Sequence, residues 1–231
     1  MAPLDDEKNK RMSDDPPNGN PNRGYRLTFY PMPGEVQHEF CGNHEIRGAI
    51  CPHCHKPLLR ILSLSASDQA LNLDAAKTPI VHLLYCWTCS IPFGEFAYKI
   101  NADGSIELIR VPERYEYEFG AAGPYDGYTG VFPPRKVALT PVDENAETTA
   151  EEDDDPAHQI GGEPFIANPQ TIQCPVCSKP MPLLASICDD ASGNDPWHRE
   201  ESSSFAGNGG VQMIFHFCRD CAVVSAYHCC D

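Results

Sequence analysis

Basic charge is what this chain has least of. Against 33 Asp and Glu there are only 17 Lys and Arg in 231 residues, a formal net charge of −16. Nucleic-acid binding draws on Lys and Arg that displace counterions from phosphate, so the balance argues against a nucleic-acid partner and for a basic or neutral protein partner. Long apolar runs are missing too. No segment approaches the roughly 18 residues of a membrane span, which leaves no membrane expectation. The first residues, MAPLDDEKNKRMSDDPPNGN, hold no apolar core of a secretory signal, so the expected setting is the cytoplasm. In a reducing compartment paired cysteines favour metal over disulfide.

Cysteine is abundant instead, with 12 in the chain. Eight of them fall into four C-x-x-C pairs, and the pairs fall into two matching phrases. Residues 51–64 read CPHCHKPLLRILSL and residues 174–187 read CPVCSKPMPLLASI. Each is answered later by a second pair, Cys86-Trp-Thr-Cys89 and Cys218-Arg-Asp-Cys221. Two cysteines two residues apart can turn both sulfurs onto one ion, and two such knuckles supply the four thiolates that suit tetrahedral Zn²⁺. Pro52 and Pro175 pre-set the turn. The expected ligands are Cys51, Cys54, Cys86 and Cys89 for one Zn²⁺ and Cys174, Cys177, Cys218 and Cys221 for a second. Spacing leaves open whether each knuckle pairs within its own half or crosses to the other. Eight thiolates add −8 and two Zn²⁺ add +4, taking the loaded protein to about −20. Cys41 and His44 also have ligand-like spacing, but the four-cysteine set is complete without them.

A repeated order of features implies duplication of one structural unit. The expected fold is therefore mainly β: two related zinc-ribbon-like units joined by an acidic linker, behind a disordered N-terminal tail. Residues 1–24 form the tail, 25–111 the first unit, 112–157 an aromatic, Gly- and Pro-rich segment with the acidic linker, and 158–231 the second unit. Strands are expected over YRLTFY (25–30), IVHLLYC (80–86), LLASI (183–187) and the run GGVQMIFHFC ending at Cys218. LLRILSLS (58–65) fits a strand or a short helix equally well. Asn101-Ala102-Asp103-Gly104 signals a hairpin between FAYKI and SIELIRV. From Asp143 to Asp155 there are eight acidic residues and no basic one, a solvated linker. Tyr115, Tyr117, Phe119, Tyr125, Tyr128 and Phe132 are either contact residues or cover for the seam between the halves.

Residues 158–221 resemble two families. Gly161, Gly162 and Pro164, then Leu183, Leu184 and Ile187, then Gly207, Gly209, Gly210 and Val211 sit at the marks of the bacterial YwqG-like family of unknown function. Gly-Gly-x-Pro with C-x-x-C, Leu-Leu and a late Phe-x-Phe-Cys is also similar to the programmed cell death protein 2 family. Phe205 stands where a Trp is frequent, and Ala185-Ser186 where a Gln is usual. The second resemblance implies an escort of a ribosomal protein and gives no reaction. Composition, spacing and resemblance together predict a non-enzymatic zinc protein acting as an interaction module, an escort or neutralising partner of a basic protein. The alternatives are a nucleic-acid-binding ribbon, for which His53, His55, Lys56 and Arg60 are a thin patch, and a thiol or hydrolytic enzyme. Cys188 is the best thiol there, but Asp189 and Asp190 beside it oppose a reactive thiolate.

Overall fold

The structure is a computed structural model, described here for residues 24–29, 31–73, 78–86, 96–111, 134–142, 158–163, 166, 169–188 and 211–230. Eleven strands account for its regular structure, and no helix occurs among the described residues. In chain order they are β1 (Tyr25–Phe29), β2 (His38–Phe40), β3 (Leu59–Ser65), β4 (Ile80–Tyr85), β5 (Phe96–Ile100) and β6 (Ile106–Arg110). Then come β7 (Arg135–Pro141), β8 (His158–Ile160), β9 (Leu183–Cys188), β10 (Val211–Cys218) and β11 (Val223–Cys230). The segment 58–65, ambiguous by periodicity, is a strand with a bulge where Ile61 interrupts the pairing with β4. The expected hairpin forms: β5 and β6 pair around a turn in which Gly104 takes φ 78° and its N–H donates to Asn101 O at 2.9 Å.

All pairings are antiparallel and belong to one sheet, in the order β4-β3-β2-β7-β1-β8-β9-β10-β11-β5-β6. This differs from two units side by side. β5 of the first expected unit pairs along β11 of the second, Val223↔Lys99 to Ala226↔Phe96. Segment 112–157, expected to connect, supplies β7, which lies between β2 and β1 in the middle of the sheet. The acidic run 143–155, the aromatic stretch 115–132 and the tail 1–23 lie outside the described residues.

The order has a symmetry. Exchanging β1, β2, β3 and β4 for β7, β8, β9 and β10 turns β4-β3-β2-β7 into β10-β9-β8-β1, which is what the other side of the sheet reads. β1 and β7 meet at the centre, with Leu27 opposite Leu139. On either side of this centre β1 pairs with β8, and β7 with β2.

The sheet curls so that β4, at one end, meets β5 and β11. The Tyr98 hydroxyl, from β5, accepts from Leu84 N–H at 2.8 Å and donates to His82 O at 2.7 Å, so a side chain occupies the outer edge of β4. Tyr85 of β4 packs edge-on against His228 of β11, centroids 5.8 Å apart. Phe40, Leu62, Leu83, Phe96, Phe215 and Val224 fill the inside. A second cluster, including Ala97, Ile172, Met181, Ile214, Val223 and Tyr227, covers the other face of β10 and β11. Burial on both faces explains why VQMIFHF carries apolar residues at successive positions rather than strict alternation.

Candidate metal centres

The two phrases fold into the same turn. In the first, Cys51 N–H donates to Lys56 O and His55 N–H to Cys51 O, both at 2.9 Å. In the second, Cys174 N–H donates to Lys179 O at 2.9 Å and Ser178 N–H to Cys174 O at 2.8 Å. His55 and Ser178 occupy the same left-handed position, φ 58° and 59°. An isolated bridge closes each base, Ile50 to Pro57 and Gln173 to Pro180. Leu58 N–H then donates to Ala49 O, and Met181 N–H to Ile172 O, at 2.9 Å each. Proline after the first cysteine suits a chain that must reverse within four residues.

The second knuckle of each set is brought in by a strand. β4 runs antiparallel to β3 and delivers Cys86 beside the first turn, while β10 delivers Cys218 beside the second. The Sγ atoms of Cys174, Cys177, Cys218 and Cys221 all lie within 4.8 Å of one another, and so do those of Cys51, Cys54 and Cys86. Pairing is therefore local to each half among the described residues. Cys89 and Trp87 lie outside them. Cys54 and Cys86 are 3.7 Å apart at sulfur, and so are Cys177 and Cys218. A tetrahedron of about 2.3 Å Zn–S bonds has edges of about 3.8 Å, whereas a disulfide needs about 2.0 Å. Both clusters are thus compatible with metal binding. The second offers four sulfurs and no oxygen or nitrogen, a donor set that closes a tetrahedral site.

Electrostatics differ among the sulfurs of the second cluster. Burial pushes the Cys218 thiol up to about 12 and the Cys221 thiol up to about 11. The Lys179 backbone N–H, ahead of the other sulfurs, holds Cys177 below the usual thiol range. Four thiolates in this space need a cation to compensate them. An ion pair that the sequence did not single out spans the two knuckles: Lys179 Nζ meets Asp220 Oδ2 at 2.6 Å. Lys179 belongs to the repeated Lys-Pro of the two phrases, which was its available signal.

The remaining candidates fall elsewhere. Cys41 is buried and belongs to neither cluster, and His44 donates from Nε2 to Leu58 O at 2.7 Å. Cys188 and Cys230 end β9 and β11, and Cys229 is buried beside Gln212. Among the described residues no helix is long and apolar enough to cross a membrane. Comparisons with protein-family models, with curated proteins and with solved structures found no match.

Proposed function

We propose that the chain binds two Zn²⁺, one through Cys51, Cys54, Cys86 and Cys89 and the other through Cys174, Cys177, Cys218 and Cys221. The metal is structural, and the protein is a non-enzymatic interaction module of the cytoplasm that escorts or neutralises a basic protein. The observation that carries the reading is the second cluster, whose four converging sulfurs leave no position for a substrate or an activated water. The net charge of −16 supports a cationic partner. The escort role rests on the resemblance to the programmed cell death protein 2 family. The shared turn and the palindromic strand order support an internal duplication, with the first strand exchanged between halves.

Three measurements test this together. Elemental analysis of reduced protein purified without added metal gives two zinc per chain, and a ratio near zero overturns the metal reading. Capture on the tagged full-length protein enriches a cationic protein at low salt and releases it at about 1 M salt, where charges are screened beyond about 3 Å. A DNA or RNA probe shows no shift at about 0.15 M ionic strength. Tight, salt-sensitive binding of that probe overturns the protein-partner reading in favour of a nucleic-acid ribbon.

A further inference from the structure

Each first knuckle has a histidine at the same place on its base. Leu58 and Met181 hold corresponding positions, and each is the residue whose N–H closes the turn, on Ala49 and on Ile172. The carbonyl of Leu58 is 2.7 Å from His44 Nε2, and the carbonyl of Met181 is 3.0 Å from His216 Nδ1. A carbonyl only accepts, so both rings donate. The tautomers are opposite. His44 Nδ1 accepts from Ile46 N–H at 3.2 Å, leaving the proton on Nε2. His216 donates from Nδ1, and its Nε2 is buried with no hydrogen-bond partner, so the Met181 contact is the hydrogen bond that orients this ring. Tyr227 stacks on the same ring at 6.0 Å and 15°.

The two histidines come from different parts of the chain. His44 lies between β2 and its knuckle, whereas His216 lies on β10, two residues before Cys218. Repetition of the phrase therefore does not account for both. Neither ring joins a sulfur cluster. We propose that His44 and His216 are positioning residues for the two cysteine clusters, each fixing the base of its first knuckle through the Leu58 or Met181 carbonyl. In the second half the bond also ties that knuckle to the strand that brings Cys218, so one contact sets the separation of the two sulfur pairs. A tetrahedral site tolerates displacements of only about 0.2 Å in its ligand distances, so a loosened base weakens the metal without removing a ligand. The inference rests on the metal reading above.

The opposite tautomers supply the test. Glutamine places an amide N–H near where Nε2–H stood, and asparagine near Nδ1–H. Full-length zinc-loaded protein is challenged with excess chromogenic chelator, and cysteines freed on release are trapped with iodoacetamide and identified by mass spectrometry. His44→Gln and His216→Asn release zinc at the wild-type rate. His44→Asn speeds release at Cys51, Cys54 and Cys86 by about tenfold or more, and His216→Gln does so at Cys174, Cys177, Cys218 and Cys221, in the range of lost outer-shell partners. The other cluster keeps its rate in each case. Equal release from the Gln and Asn variants at either position overturns the assignment there, as does equal acceleration of both clusters. Wild-type protein without zinc sinks the metal reading and this inference together; two zinc with no Gln–Asn difference sinks this inference alone.

Discussion

Replacing Cys177 by serine removes one sulfur of the four in the second cluster, and the shared sheet determines how far the damage travels. A structural zinc contributes on the order of 10 kcal/mol to folding, against a typical total stability of 5–15 kcal/mol. Were the halves independent, the loss would stop at the second. The pairing of β5 with β11 runs from Val223↔Lys99 to Ala226↔Phe96, so β11 is one of the two neighbours of β5. Without it, about four backbone hydrogen bonds at roughly 1 kcal/mol each are lost. So is packing around Phe96, Tyr98 and Ile100, all within 1% of complete burial, at roughly 2 kcal/mol per side chain. The β5–β6 hairpin left behind is a two-stranded element, marginal in water. Hydrogen exchange followed by mass spectrometry reads this directly. In Cys177→Ser, amides of Phe96–Ile100 should exchange at least about a thousandfold faster than in wild type, together with those of β10 and β11. Unchanged protection in β5 and β6 beside lost protection in β10 and β11 would refute the shared-sheet argument.

Tyr98→Phe removes the hydroxyl that serves both Leu84 N–H and His82 O. Two backbone groups left unsatisfied at roughly 1–3 kcal/mol each predict a loss of about 2–6 kcal/mol in urea unfolding, and a change under about 0.5 kcal/mol rejects the capping role. Burial lowers His82 from 6.5 to about 4, with Arg60 and His44 adding to it, and burial alone lowers His228 to about 4. Both rings are neutral in the fold, so the unfolded chain binds more protons between these values. The stability they contribute is present above pH 6.5 and is lost as the pH falls towards 4, roughly 3 kcal/mol for each ring. His82→Gln should reduce the slope of unfolding free energy against pH by about one proton in that window. A slope equal to wild type means that His82 is not held neutral.

The two cysteine clusters were the most legible part of the chain, because C-x-x-C places two sulfurs by local geometry alone and needs no long-range information. The turn around Cys51 and Cys174 follows from Pro, Lys-Pro and one left-handed residue in each phrase. The strands at IVHLLYC and VQMIFHFC were legible for the same reason, being apolar enough to declare themselves, whereas the eight-residue β11 (Val223–Cys230) was not read as a strand. Three others were missed as well. β2 and β8 have three residues each, HEF and HQI, fewer than a period-2 pattern needs to be recognised. β7 reads RKVALTP, with Lys136 paired to Glu39 rather than buried, and it follows a run of Gly and Pro that reads as connection.

Those three strands are also the ones that join the halves, so missing them led to the expectation of separate units. A repeated sequence is compatible with two folds that periodicity cannot separate: two copies each closed on itself, or two copies that exchange an element. The choice depends on where β1 and β7 pair, a contact between residues more than 100 positions apart, Leu27 with Leu139. In the observed order β7 pairs with β2 and β1, and β1 pairs with β7 and β8, so no backbone edge is left open there and one core extends through Phe29, Phe40 and His158 across the seam. There Phe29 meets Phe40 at 5.6 Å and Phe40 meets His158 at 5.1 Å. The symmetry then breaks at the far end. β11 stays beside β10, whereas β5 leaves β4 and adds to β11, with the Tyr98 hydroxyl standing in at the edge that β5 vacated. The β10 side of the sheet is thus continued by backbone pairing, and the β4 edge is met by a side chain.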